Sequence, residues 1–228
     1  MANDNQLEIV NKYLNGENSL QTGYTVRHKK FLPLTAEQAA LLNPLLTRVL
    51  EASDNEAASR LKEILNQPLE DRLLLHNEQL GIDVSPCDIG VGISQIIPVI
   101  VAGALAADNH VFIAIEQPEL HIHPAGQTVL ADIILKAIDP REKIPPMFLL
   151  ETHSEHLMLR LLRRIRETNE NELPEGFQPV KPEMISVLYV QAKEGGGTEI
   201  TPLPITPDGD FSRKWPNGFF EERAEELF

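Results

Sequence analysis

Apolar positions in the second half of this chain alternate between two periods. Five consecutive apolar residues, from Val111 to Ile115, run straight into Glu116, and a second short run, PMFLLE at 146–151, also ends in an acid. Short apolar runs bounded by polar residues predict strands buried on both faces. After each run the spacing turns helical. One helix is expected over 125–138, and a strongly amphipathic one from a capping Ser154 to about residue 167, carrying Leu157, Leu161, Leu162 and Ile165. Strand, helix, strand, helix predicts βαβ units and a mostly parallel α/β sheet with flanking helices, both strand ends lying on one edge. A carboxylate closing a buried strand is costly unless it meets a cation or donors. Ligands of parallel sheets collect beyond the carboxyl ends of the strands. Glu116 and His153 are therefore expected as near neighbours where such a sheet holds its ligand.

The first half is less regular. A short helix is expected over 6–14 and a strand over 22–34. Thr35 and Gln38 form a capping-box pair opening a helix to about residue 50, in which Pro44 predicts a kink or break. An amphipathic helix follows over 54–66, then short strands over 72–76 and 82–85. In DIGVGISQIIPVIVAG (88–103), Gly90 and Gly92 precede an apolar helix that Ser94 is expected to cap. Amide groups at such a helix start favour an anion, although an ordinary glycine turn is the commoner meaning of this segment alone. Beyond a loop over 169–182, segments 184–191 and 198–203 alternate around Gly195, Gly196 and Gly197, predicting a β-hairpin. A short amphipathic helix is expected over 218–228. The chain divides into three regions: 1–84, 85–182 and 183–228.

Composition narrows the function classes. With 228 residues, 42% of them hydrophobic, the chain can build one good-sized core. Its net charge of −14, from 34 acidic and 20 basic residues, argues against gripping nucleic acid by its phosphates as the main task, a local basic patch aside. One cysteine, Cys87, excludes an internal disulfide and a cysteine-based metal site, and is expected to be a buried small residue. The start lacks a signal-peptide pattern, and the longest apolar run, 96–107, is shorter than the ~20 residues of a spanning helix. A cytoplasmic protein without a membrane span is the expectation.

Three segments in order, DIGVGISQIIPVI, VFIAIEQPELHIHPAGQ and FLLETHSEHLMLRLL, resemble the C-terminal half of ABC-type AAA ATPases related to the overcoming-lysogenization-defect proteins. The resemblance covers roughly 85–228, the tail PLPITPDGDFSRKWPNGFFEERAEELF looking like the uncharacterised C-terminal domain of one bacterial branch; 1–84 matches loosely. It implies ATP and Mg²⁺ as ligands. Gly90, Gly92, Ser94 and Gln95 would form the signature motif that contacts the γ-phosphate held by the other subunit of a nucleotide-sandwich dimer. Glu116 would take the Walker B position, ligating Mg²⁺ through water, and His153 the switch-histidine position. Glu119, His121 and His123 would lie in the loop facing the dimer partner. Relatives often serve in phage defence or DNA maintenance.

Two departures from that pattern change the expected chemistry. Gln117 stands where the family carries its catalytic base, and an amide cannot take a proton from water, so hydrolysis should be slow or use another base, with Glu119 nearest. A P-loop is also missing: no lysine is followed by serine or threonine. Backbone amides and a lysine supply most of the nucleotide grip in such proteins. The isolated chain is thus expected to be inactive, needing a P-loop lobe from a longer protein or a separate chain. One alternative is a nucleotide-gated interaction module with little hydrolysis. Another is a metal-dependent hydrolase using Glu116, His121, His123 and His153, although the histidine spacing fits no zinc motif. Asp208-Gly209-Asp210 resembles a nuclease DxD but reads more simply as a turn. Arg160, Arg163, Arg164 and Arg166 read as a solvated basic face.

Overall fold

A computed structural model describes residues 4–16, 19–106, 111–138 and 145–216. In order, its elements are α1 (Asp4–Asn15), β1 (Tyr24–Phe31), α2 (Ala36–Ala52), α3 (Asn55–Leu65), β2 (Glu70–Asn77), β3 (Ile82–Val84), α4 (Val91–Ala106), β4 (Phe112–Glu116), α5 (Pro124–Ala137), β5 (Met147–Glu151), α6 (Glu155–Asn169), β6 (Leu188–Ala192) and β7 (Thr198–Pro202). They fall into two compact units, Tyr24–Asp88 and the remainder. The expected terminal helix over 218–228 lies outside the described residues.

In the smaller unit, β1, β2 and β3 form an antiparallel sheet in that order, with Val26 paired to Leu75 at its buried centre. The helices α2 and α3 pack on each other through Leu45, Ala57 and Ile64. The Thr35–Gln38 capping box forms in both directions, at 3.1 and 3.0 Å. Pro44 sits inside α2 without breaking it. A proline removes one backbone donor, and the remaining ladder holds the helix together. Cys87 is exposed, against the expectation of burial: it lies in a 3₁₀ turn, Pro86–Asp88, rather than in a core-facing element.

In the larger unit, β4 and β5 pair in parallel from Phe112↔Met147 to Glu116↔Glu151, with α5 as the crossover. The expected mixed α/β architecture with a parallel sheet and flanking helices is present. Ile115, Phe148 and Leu150 turn inward against a core of Val99, Leu130, Ile134, Leu157, Leu161 and Ile165 from α4, α5 and α6. Burying each such side chain is worth about 1.5–3 kcal/mol.

The other face of the strand pair corrects the sequence reading. Both strands were expected to be buried on two sides, yet Phe112, Met147 and Leu149 are 62%, 63% and 56% exposed, and Glu116 is exposed beside them. Among the described residues nothing covers that face, so the expected desolvation of Glu116 does not occur. Continuous apolar runs mark a parallel strand made to be covered twice; among the described residues only one cover is present.

The seam between α5 and α6 corrects a second expectation. Arg164 is buried, not solvated. Its Nε and Nη2 donate to Asp132 of α5 at 2.8 and 2.9 Å, its Nη1 donates to Glu167 at 2.6 Å, and its guanidinium lies 3.9 Å from the centroid of the Phe177 ring. Arg160 reaches the same aspartate at 3.3 Å, and Arg163 reaches Glu167 at 2.6 Å. Arg160 and Arg164 are thus neutralised by Asp132, an acid that α5 brings and the α6 pattern alone could not show, whereas Arg163 pairs with Glu167 within α6 and stays exposed. Arg166 donates to Asp208 O at 2.9 Å and pairs with Asp210 at 3.4 Å. The 208–210 segment is a turn, closed by Gly209 N to Thr206 O and Thr206 N to Asp210 O, and seated on α6.

The β6–β7 hairpin forms around the three glycines. Its first strand starts at Leu188, later than expected, because 182–184 make a 3₁₀ turn. Ile185, Val187, Phe211 and Trp215 pack on the same core as α5 and α6. No helix among the described residues is long and apolar enough to cross a membrane.

Candidate functional site

The site begins where β4 ends. Gln117 N–H adds one more rung to the parallel ladder, donating to Glu151 O at 2.8 Å. The chain then reverses through two turns, Leu120 N to Gln117 O at 3.1 Å and Ile122 N to Glu119 O at 3.0 Å. Gln117 and His121 both adopt left-handed backbone, with φ of +45° and +61°. Such conformations in non-glycine residues cost about 1–3 kcal/mol each and persist where the surroundings fix them. Pro124 opens α5, and His123 caps it, its Nδ1 accepting from Ala125 N at 3.3 Å.

These turns carry Glu119 under the end of β5. It is 9% exposed, and its Oε1 accepts from His153 N at 2.8 Å. Its Oε2 is buried without a hydrogen-bond partner among the described residues. The neighbouring Ser154 caps α6 as expected, accepting from Leu157 N at 2.9 Å. Its hydroxyl donates to Gln127 Oε1 at 2.6 Å, and Gln127 Nε2 donates to Ile122 O at 2.9 Å. Loop 117–123, α5 and the start of α6 are thereby locked into one frame. Gln117, Glu119, His121, Gln127, His153 and Ser154 line a cavity of about 480 Å³ within it.

Glu116 and His153 reach the same edge of the sheet. Glu116 pairs with Glu151 across the strands, and His153 Nε2 lies 3.2 Å from Glu151 Oε1. Glu116 stands outside the cavity lining. The glycine segment approaches from α4: a Cβ on Gly92 would lie 2.7 Å from His121 O, so only glycine lets the helix start pass so close to the loop. Gly90 and Gln95 are exposed and stand away from the cavity. The expected capping role of Ser94 is not observed. The helix already starts at Val91, and the Ser94 hydroxyl turns back to Val91 O at 2.9 Å. Among the described residues no three His, Cys, Asp or Glu side chains come together as a metal-ion set.

Two members of the frame escaped sequence reasoning. Gln127 follows the His123 cap by four residues, one helical turn, and that spacing is the signal that could have found it. Glu151 was visible as a strand-ending acid, but only the register puts it beside Glu116 and His153.

Comparison with known families places these segments. A family model described as "AAA ATPase domain" matches residues 4–158, and one described as "Protein of unknown function (DUF3696)" matches 180–228. No curated protein matches the chain. The first match takes in the glycine segment, both parallel strands and the start of α6, well over half of the sequence, and the chain belongs to the AAA ATPase domain family.

Proposed function

We propose that this chain is the ATP-binding and ATP-hydrolysing C-terminal lobe of an ABC-type ATPase related to the overcoming-lysogenization-defect proteins, working at a nucleotide-sandwich dimer. ATP binding and hydrolysis are the coarse activity of the family. The observation that carries the finer reading is the convergence of Glu116 and His153 at one sheet edge through Glu151. Mg²⁺ takes one or two carboxylates and completes its shell with water and phosphate oxygens. Glu116, exposed at a strand end with a second carboxylate as its cross-strand neighbour, fits that requirement. Two like charges side by side are unfavourable until a cation joins them. When bound, Mg²⁺ would neutralise phosphate charge. His153 Nε2 would hydrogen-bond the γ-phosphate, and Gly92 would let the α4 start approach the loop that faces the second subunit.

The open face of β4 and β5 supports a second component. Phe112, Met147 and Leu149 form a surface suited to the P-loop lobe that this sequence lacks, supplied in a longer protein or by a separate chain. Gln117 supports a second reading, a nucleotide clamp that turns over rarely, since its amide cannot act as a base. Turnover of the chain assembled with its P-loop lobe separates the two. Hydrolysis abolished by Glu116→Ala is the expected result; tight ATP binding with negligible turnover favours the clamp, and no ATP binding at all rejects both.

A further inference from the structure

We infer that Glu119 is the general base for hydrolysis, in place of Gln117; the inference rests on the ATPase reading of the site. Three observations converge on it. Glu119 is a carboxylate, whereas the preceding candidate position carries an amide. Its Oε1 is fixed by the His153 amide at 2.8 Å, which ties the carboxylate to the strand end where the γ-phosphate is expected. Its Oε2 is buried, lies in a residue that lines the cavity, and has no donor among the described residues.

A buried acceptor without a donor is costly, and the cost disappears when a donor arrives. The arginines of α6 do not supply one: Arg160 and Arg164 are engaged by Asp132, Arg163 by Glu167 and Arg166 at the 208–210 turn. A small rotation of the Glu119 side chain toward the cavity would let a water held there donate to Oε2 and stand next to His153. In the reaction, a water proton passes to Oε2 as the water oxygen bonds to the γ-phosphorus. The bond between that phosphorus and the β–γ bridging oxygen breaks, ADP and inorganic phosphate leave, and the proton on Glu119 returns to solvent. The left-handed backbone at Gln117 and His121 holds the turn that points the carboxylate inward.

Substitution separates this role from a purely positioning one. Glu119→Gln keeps an oxygen that can accept from His153 N–H but removes the basic group. Glu119→Ala removes both. Single-turnover hydrolysis and ATP affinity are measured on the chain assembled with its P-loop lobe. Glu119→Gln is expected to lower the hydrolysis rate by about 10²-fold or more, the usual range for a lost general base, while ATP affinity stays unchanged. Adding Gln117→Glu to that variant should restore part of the rate. Wild-type rates in Glu119→Gln with loss only in Glu119→Ala would make Glu119 a positioning residue and overturn the inference. ATP binding without hydrolysis in the unmodified assembly would overturn it too, and absence of ATP binding would reject the ATPase reading itself. Should Glu119→Gln fail to fold, Glu119→Asp retracts the same carboxylate by one methylene. A folded Glu119→Asp at full rate would contradict the assignment, and a slowed one would support it.

Discussion

Replacing Asp132 by alanine tests how the site's frame is held. Asp132 is the bidentate acceptor for a guanidinium whose side chain is 4% exposed, and its own side chain is 7% exposed. Truncation leaves Arg164 charged and buried with Glu167 and the Phe177 ring as its remaining partners, and takes from Arg160 its 3.3 Å contact. Removing one partner of a buried pair costs about 3–5 kcal/mol, and the surviving Glu167 contact puts this case near the lower end. For a chain of this length about 3 kcal/mol corresponds to a fall in Tm of about 6–12 °C. Denaturant unfolding followed by circular dichroism measures the first quantity and a thermal melt the second. The double replacement Asp132→Leu with Arg164→Met removes both charges and should recover most of the loss. A cost below about 1 kcal/mol for the single variant, or a double variant as unstable as the single one, would refute the view that α5 and α6 are joined through this pair.

Two other expectations follow from the same seam. Burial raises the Glu167 carboxyl pKa, but hydrogen bonds from Arg164 and Arg163 outweigh it, leaving the folded value below the ordinary one. The stability it contributes is therefore complete above the unfolded value, about 4.3, and is lost as pH falls through the folded value. A pH series of unfolding midpoints should show Glu167→Gln losing its deficit against wild type in that acid window; a constant deficit would contradict the pairing. Gly209, at φ +72° with an added Cβ falling 2.3 Å from Leu162 O, seats the 206–210 turn on α6. Gly209→Ala should cost about 1–3 kcal/mol in denaturant unfolding, and a neutral effect would mean the turn is free to lift away.

The sequence carried the parts of the fold that depend on local pattern. The alternation of strand and helix periods located β4, α5, β5 and α6, the Thr35–Gln38 box and the Ser154 cap, because capping and periodicity are decided within a few residues. Interactions between elements were not legible. Arg164 read as a surface residue, since only the α5 partner Asp132 explains its burial. The exposed faces of β4 and β5 read as buried, because an apolar run records the need for a cover and not its source. Ser94 was placed one turn too early in the helix-start logic: Gly90 and Val91 can begin the helix without a side-chain cap. At the site, the spacing of Glu116, Gln117, Glu119 and His153 was visible in the one-dimensional motif. The left-handed turns that swing Glu119 beneath His153 were not, since glutamine rarely adopts positive φ and histidine, though enriched there, does so only in a small minority of cases.

The most direct test of the central claim, one ATP–Mg²⁺ pocket shared by the acid closing β4 and the imidazole following β5, is a double-mutant cycle on Glu116 and His153. ATP affinity in Mg²⁺ is measured by calorimetry for the assembled protein, Glu116→Ala, His153→Ala and the double variant. Residues acting on one ligand are expected to couple by about 1 kcal/mol or more. Strictly additive losses, or affinity untouched by either substitution, would contradict the account.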